Sequence, residues 1–162
     1  MFTPATRTLF ASSLRTSTVS RTPFNRVSAR TVVTLKDVKV RAGRNGHVES
    51  NGLKLNLASP KELGGTGKGE NPEQLFAMGY SACFLGAIQA LAKKMGKEEM
   101  GKRAVVHTTV HLGEPNEMKG FALGVDIQVE GIDQEVLDAA HAFCPYSRAL
   151  THGAVVNVSL KA

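Results

Sequence analysis

Asn71-Pro72-Glu73-Gln74-Leu75-Phe76-Ala77-Met78-Gly79-Tyr80-Ser81-Ala82-Cys83-Phe84-Leu85-Gly86-Ala87-Ile88 opens a helix. Asparagine is a favoured N-cap, and proline takes the first helical position, where its missing amide costs nothing. Glu73 falls where the positive end of the helix dipole favours a carboxylate. From Leu75 to Met95 the residues are apolar on nearly every face, with Gly79 and Gly86 permitting close approach. Such a helix is expected to be buried on most sides. At about 1.5 Å of rise per residue it is expected to be short for a membrane span, and it carries Gln89, Lys93 and Lys94 late. It reads as a central core helix.

Upstream, Ser59 to Glu70 holds Pro60 and four glycines and reads as a loop. Before it, Leu53, Leu55 and Leu57 alternate with polar residues after Asn51-Gly52, a dipeptide suited to the two positive-φ positions of a tight hairpin. Gly43 and Gly46 bracket Arg44 and Asn45 in a turn, and Val33, Leu35, Val38 and Val40 read as extended, giving an amino-terminal β meander. Downstream, residues 104 to 112 and the alternating Phe121, Leu123, Val125, Ile127 and Val129 predict a second antiparallel pair. Asp133 caps a helix with an apolar stripe of Val136, Leu137, Ala140 and Phe143 leading to Cys144, and Pro145 interrupts or re-aims it. A short helical turn to Leu150 and a closing strand over 154–160, with Val156, Val158 and Leu160 on one face, complete the chain. Strands and helices fall in blocks and not as βαβ units, so the class is α+β.

The 162 residues allow one domain with a sizeable core. The formal charge of +6 is concentrated at one end: residues 1–30 hold Arg7, Arg15, Arg21, Arg26 and Arg30 and no acid, and without those five charges the net is +1. A nearly neutral body weighs against a nucleic-acid binder, which needs a basic surface to neutralise phosphates. The same thirty residues are rich in Ser and Thr, lack Lys and scatter Phe2, Leu9, Phe10 and Leu14 among the arginines, the composition of a mitochondrial transit peptide. The folded domain is therefore expected over residues 31–162, in the matrix, with no membrane insertion. A basic tail is the simpler alternative. Two cysteines in a reducing compartment are either buried thiols or redox-active ones.

The segments Asn71-Pro72-Glu73-Gln74-Leu75-Phe76-Ala77 and Gly79-Tyr80-Ser81-Ala82-Cys83-Phe84 closely resemble the organic hydroperoxide resistance proteins, a branch of the family that includes osmotically inducible protein C. Pro60-Lys61-Glu62-Leu63-Gly64-Gly65, Ala140-His141 and Cys144-Pro145-Tyr146-Ser147 agree with it, so the likeness spans roughly residues 32–162. Met78, Arg148, Leu150 and His152 depart from the family's usual residues, which bears on pocket shape and reductant docking. The resemblance implies antiparallel sheets around two central helices in an intertwined homodimer. It implies a peroxidase in which Cys83 is peroxidatic, Cys144 resolving, and Arg44 and Glu73 the polar partners of the thiolate. It also implies organic hydroperoxides as substrates and an external dithiol, lipoamide carried on a protein, as reductant. No bound cofactor or metal is expected.

Each role has a plainer alternative. Cys83 in an apolar helix would have its thiolate disfavoured by desolvation and could be an inert thiol, whereas a peroxidase must hold a thiolate, which a nearby guanidinium stabilises. Arg44 could be an exposed turn arginine, with Arg41 as a nearby competitor. Glu73 could orient the guanidinium bidentately or simply favour a helix start. Ten helical residues separate Glu73 from Cys83 by roughly 15 Å, so one site is expected to take Glu73 and Cys83 from different chains. Leu63, Phe84, Phe143 and Tyr146 could line an alkyl pocket or be core packing. His107 and His111 share one strand face and read as solvated, not as a metal pair. A cysteine acyl transferase or hydrolase would need a histidine base, and no His is well placed. A non-catalytic redox sensor would oxidise without dithiol-driven turnover.

Overall fold

The computed structural model describes residues 39–41, 43–116 and 119–161. The proposed transit peptide and the extended residues Val33, Leu35 and Val38 lie outside them. Strands β1 (Lys39–Arg41), β2 (His47–Ser50) and β3 (Leu53–Asn56) form an antiparallel meander in the order β1-β2-β3. The β2–β3 turn is Asn51-Gly52, at φ 48° and 88°, a conformation that Asn and Gly adopt at little steric cost. Helix α1 (Pro72–Lys94) is followed by a short α2 (Glu98–Arg103), which the sequence reading did not anticipate. Strands β4 (Val105–Gly113) and β5 (Ala122–Glu130) then pair antiparallel, and α3 (Gln134–Phe143) and α4 (Pro145–His152) end the helical part. Blocks of strands and helices give the expected α+β class.

Helix α1 begins as its first residues dictate. Asn71 accepts the Gln74 amide at 2.7 Å while the Gln74 side chain accepts the Asn71 amide at 3.1 Å, a reciprocal capping box. Tyr80, Phe84, Ala87, Ile88 and Ala92 bury one face of α1, and Val136, Ala140 and Cys144 of the α3 segment pack into the same core. Val106, Val125, Ile127 and Val129 close it from the β4–β5 sheet. Asp133 caps α3 through the Val136 amide at 3.0 Å, and α3 stops at Phe143 because Pro145 starts α4 along a new direction.

Four expectations need correction. First, α1 is not buried on most sides: Met78 is 58% exposed, and Phe76 and Cys83 are only partly covered. Its apolar surface exceeds what one chain covers. Second, its 23 residues reach about 35 Å, so length does not exclude a span; what the structure shows is α1 packed on β4, α2 and α3. Third, the alternation half-buries Val125, Ile127 and Val129 on β5 but leaves Leu123, and Phe121 just before the strand, exposed. Fourth, residues 154–160 form no strand: they follow α4 without ladder partners, with Val158 and Leu160 at 90% and 101% exposure. Their alternation is that of a strand, but no described strand pairs with them.

Candidate active site

The turn carrying Arg44 is a single 3-10 turn, Gly43–Asn45, between β1 and β2. It is tied down from below. The Asn45 side chain accepts the Ser59 amide at 3.1 Å, and the Gly46 carbonyl accepts the Leu57 amide at 2.8 Å. The strand beyond Leu57 is in turn held to the start of α1 by the Ala58 amide donating to the Glu70 carbonyl at 3.0 Å. The intervening loop folds back so tightly that a Cβ on Gly65 would lie 2.0 Å from the Ser59 carbonyl oxygen. This scaffold brings Arg44 to the N-terminus of α1, twenty-nine residues away in sequence.

There the guanidinium meets Glu73 as a fork, Nη1 to Oε2 at 3.2 Å and Nη2 to Oε1 at 2.5 Å, the bidentate pairing the sequence suggested. The hydrogen bonds from Arg44 hold the Glu73 carboxyl below its ordinary range, and those to Glu73 raise the guanidinium above its own. Arg41, the competitor, has a side chain outside the described residues. Beside the pair lies a cavity of about 400 Å³ lined by Leu63, Glu73, Ala77, Thr108, Val110 and Leu112.

Three turns along α1 is a second cluster. The Cys144 thiol lies 3.7 Å from the Cys83 sulfur, and both are free thiols. Cys144 is fully buried at the α3–α4 junction, while Cys83 is partly exposed. Burial pushes the Cys83 thiol above its ordinary value, the Cys144 thiol adds to this, and the Tyr146 backbone amide opposes it. Arg44 is not among the groups acting on it. One chain therefore holds a polar half-site and a sulfur half-site apart, and the guanidinium that should favour a thiolate is elsewhere.

The four candidate pocket residues are not brought together. Leu63 lines the cavity beside Glu73. Phe84 is a core residue, 2% exposed, and borders a separate cavity of about 290 Å³ with Tyr80, Leu137 and His141. Phe143 lies on the outside with the Lys94 ammonium 5.4 Å from its ring centre. Tyr146 lies against Gly79 and stacks on Phe76, their ring centres 6.3 Å apart and planes nearly parallel. Only Leu63 and Tyr146 border the two half-sites. His107 and His111 pair with Glu130 and Asp126 on the exposed sheet face, as a solvated surface would.

Sequence reading missed the polar contacts that hold α1 to its neighbours. Tyr80 donates to the buried Ser147 hydroxyl at 2.8 Å, and Ser81 donates to the Ala77 carbonyl while its oxygen accepts from the Thr108 hydroxyl. A signal was present: Tyr80 is three residues before Cys83, and Ser147 three after Cys144, so each shares a helical neighbourhood with its cysteine.

Residues 65–159 match the family model described as OsmC-like protein. The organic hydroperoxide resistance protein of Xanthomonas axonopodis pv. citri is 38% identical over 73% of this chain and 87% of its own. Organic hydroperoxide resistance protein OhrB of Bacillus subtilis is 37% identical over 76% and 95%. A crystal structure of an organic hydroperoxide resistance protein from Legionella pneumophila superposes with a TM-score of 0.66 at 41% identity, covering 76% of this chain and 93% of that one. Arg44 precedes the segment matched by the family model, so its placement rests on the geometry around Glu73.

Proposed function

Because this chain belongs to the organic hydroperoxide resistance branch of the OsmC-like family, we propose that it is a thiol peroxidase acting on organic hydroperoxides. The observation that carries the reading is the approach of two free thiols, the partly exposed Cys83 on α1 and the buried Cys144 at the α3–α4 junction, to 3.7 Å. The Cys83 thiolate attacks the terminal peroxide oxygen, the O–O bond breaks, and the alkoxide leaves as an alcohol after taking a proton. Cys83 is left as a sulfenic acid. Cys144 then attacks that sulfur, and water leaves as the disulfide forms. A dithiol, for which protein-borne lipoamide is the proposed source, reopens it by exchange.

The attack needs a thiolate, and within one chain burial favours the thiol. A second copy resolves this. We assign each site to two chains of a homodimer, the Arg44–Glu73 pair of one copy meeting Cys83 of the other, so that the guanidinium offsets the desolvation and donates hydrogen bonds to the peroxide. Uncovered apolar surface on α1, the exposed Phe121 and Leu123, and the unpaired segment 154–160 all support an intertwined partner. The arginine-rich first thirty residues support mitochondrial import, and a matrix location fits a lipoylated reductant.

The test is steady-state reduction of cumene hydroperoxide with dihydrolipoamide, comparing the wild type with Cys83→Ser and Cys144→Ser. Cys83→Ser should abolish even one turnover, and Cys144→Ser should spare the first and stop the cycle. Full activity in Cys83→Ser would refute the peroxidase. Stoichiometric oxidation of the wild type without dithiol-driven turnover would favour a redox sensor.

A further inference from the structure

We propose that Tyr80 and Ser147 are positioning residues for disulfide closure, a hydroxyl latch that holds the Cys144 end of α4 against α1. The inference rests on Cys83 and Cys144 being the reacting pair. The two residues form a rung parallel to the dithiol. Tyr80 lies one helical turn before Cys83 on α1, and Ser147 lies one turn after Cys144 at the start of α4, so the hydroxyl contact and the sulfur contact span the same two elements side by side.

Burial gives the hydroxyl contact its strength. Tyr80 is 3% exposed and Ser147 is wholly buried, and the Tyr80 hydroxyl donates to the Ser147 oxygen at 2.8 Å. A hydrogen bond shielded from water is costly to break, because the orphaned partner has no solvent to turn to. What needs holding is the α3–α4 junction. Cys144 ends α3 in an extended conformation, φ −60° and ψ 123°, and its side chain makes no capping hydrogen bond to α4. Aromatic contacts of Tyr146 with Phe76 and Tyr80 locate α4 loosely over α1. The Tyr80–Ser147 bond adds a directional contact that fixes how far α4 sits from α1, and thereby the reach of the Cys144 sulfur.

In the reaction this governs one step. The Cys144 thiol attacks the Cys83 sulfenic sulfur, the S–S bond forms, the S–O bond breaks, and the hydroxide leaves with the Cys144 proton as water. Cys83 is reduced from sulfenic acid to disulfide while Cys144 is oxidised to the same disulfide. A slower closure leaves the sulfenic acid open to a second peroxide and to irreversible sulfinic acid.

The step can be isolated without peroxide. Reduced protein is mixed with dithiobis(nitrobenzoate): Cys83 attacks it and releases one coloured nitrothiolate, and Cys144 then displaces the second from the mixed disulfide. Tyr80→Phe, Ser147→Ala and the double variant are compared with the wild type, with Cys144→Ser marking the first release alone. The latch predicts an unchanged first release and a second release slowed about tenfold in each single variant. It also predicts a double variant no slower than Ser147→Ala, since both changes remove one shared bond and the double leaves no orphaned hydroxyl. Equal second-release rates in all four proteins would overturn it. So would parallel slowing of both releases, which would mean general loosening, or additive effects in the double variant. If the pattern holds while the wild type fails to reduce cumene hydroperoxide, the latch stands and the peroxidase reading falls.

Discussion

Cys83 is placed where sulfur is hard to ionise, and that fact orders the chemistry at the scale of single residues. Desolvation raises its pKa, and the Cys144 thiol raises it further. The thiolate is the nucleophile, so a group left in this state would react faster with rising pH well past the ordinary cysteine value of about 8.5. With Arg44 of a second copy beside it, the pKa falls and the rate of cumene hydroperoxide reduction should level off below that pH. Arg44→Ala should move the pH-rate profile up and cost about 100-fold or more at neutral pH, the scale of losing a charge-stabilising donor in a site. An unmoved profile would remove Arg44 from the mechanism. The same substitution has a second readout at Glu73, whose carboxyl Arg44 holds below its ordinary range. The contribution of the ion pair to stability is present above the unfolded carboxyl value of about 4.3 and is lost as pH falls through the lower folded value. In Arg44→Ala the Glu73 midpoint measured by NMR should therefore rise. Cys83, Cys144, Arg44 and Glu73 came from the resemblance to the organic hydroperoxide resistance proteins, since by residue type alone they also fit an inert buried thiol, a turn arginine and a favourable charge at a helix start. Tyr80 and Ser147 were not legible, since a tyrosine and a serine fit a core or a surface equally well until their partners are known.

Elements with local signals were read well, and those that depend on distant atoms were not. Asn71-Pro72 announced α1 because capping is settled within four residues. Asn71→Ala should cost about 1 kcal/mol in urea unfolding by removing an acceptor for the Gln74 amide; no change would mean the cap is idle. Pro145 marked the break between α3 and α4 for the same local reason. By contrast, the apolar wrap of α1 reports that water is excluded without saying whose atoms exclude it. In one chain much of that surface is uncovered. The segment 154–160 carries an alternating pattern that forms no strand in the described structure, because a pattern of alternating side chains specifies faces and not a partner. Truncation after Gly153 should leave the α1–β4–β5 core folded by circular dichroism and shift the protein towards monomers in sedimentation at micromolar concentration. A truncated chain that still sediments as a dimer would show that these residues pair with nothing essential.

Taken whole, the molecule is divided by its own longest helix. Arg44 and Glu73 sit at the beginning of α1, and Cys83 and Cys144 sit about 15 Å further along, a separation fixed by helical rise. A peroxide bound at one end cannot meet sulfur at the other, so the proposed active assembly brings the beginning of one α1 to the middle of another, as a two-fold dimer would. The sequence already suggested this arrangement, since the rise of a continuous helix is independent of tertiary contacts. It could not indicate which surfaces close the gap. Co-refolding an equal mixture of Arg44→Ala and Cys83→Ser chains tests the arrangement directly. Each variant alone should be inactive towards cumene hydroperoxide, while the mixture should regain about a quarter of wild-type sites, because half the dimers are mixed and each holds one intact Arg44–Cys83 combination. No recovery in mixed dimers verified by mass spectrometry would contradict a site shared between two chains.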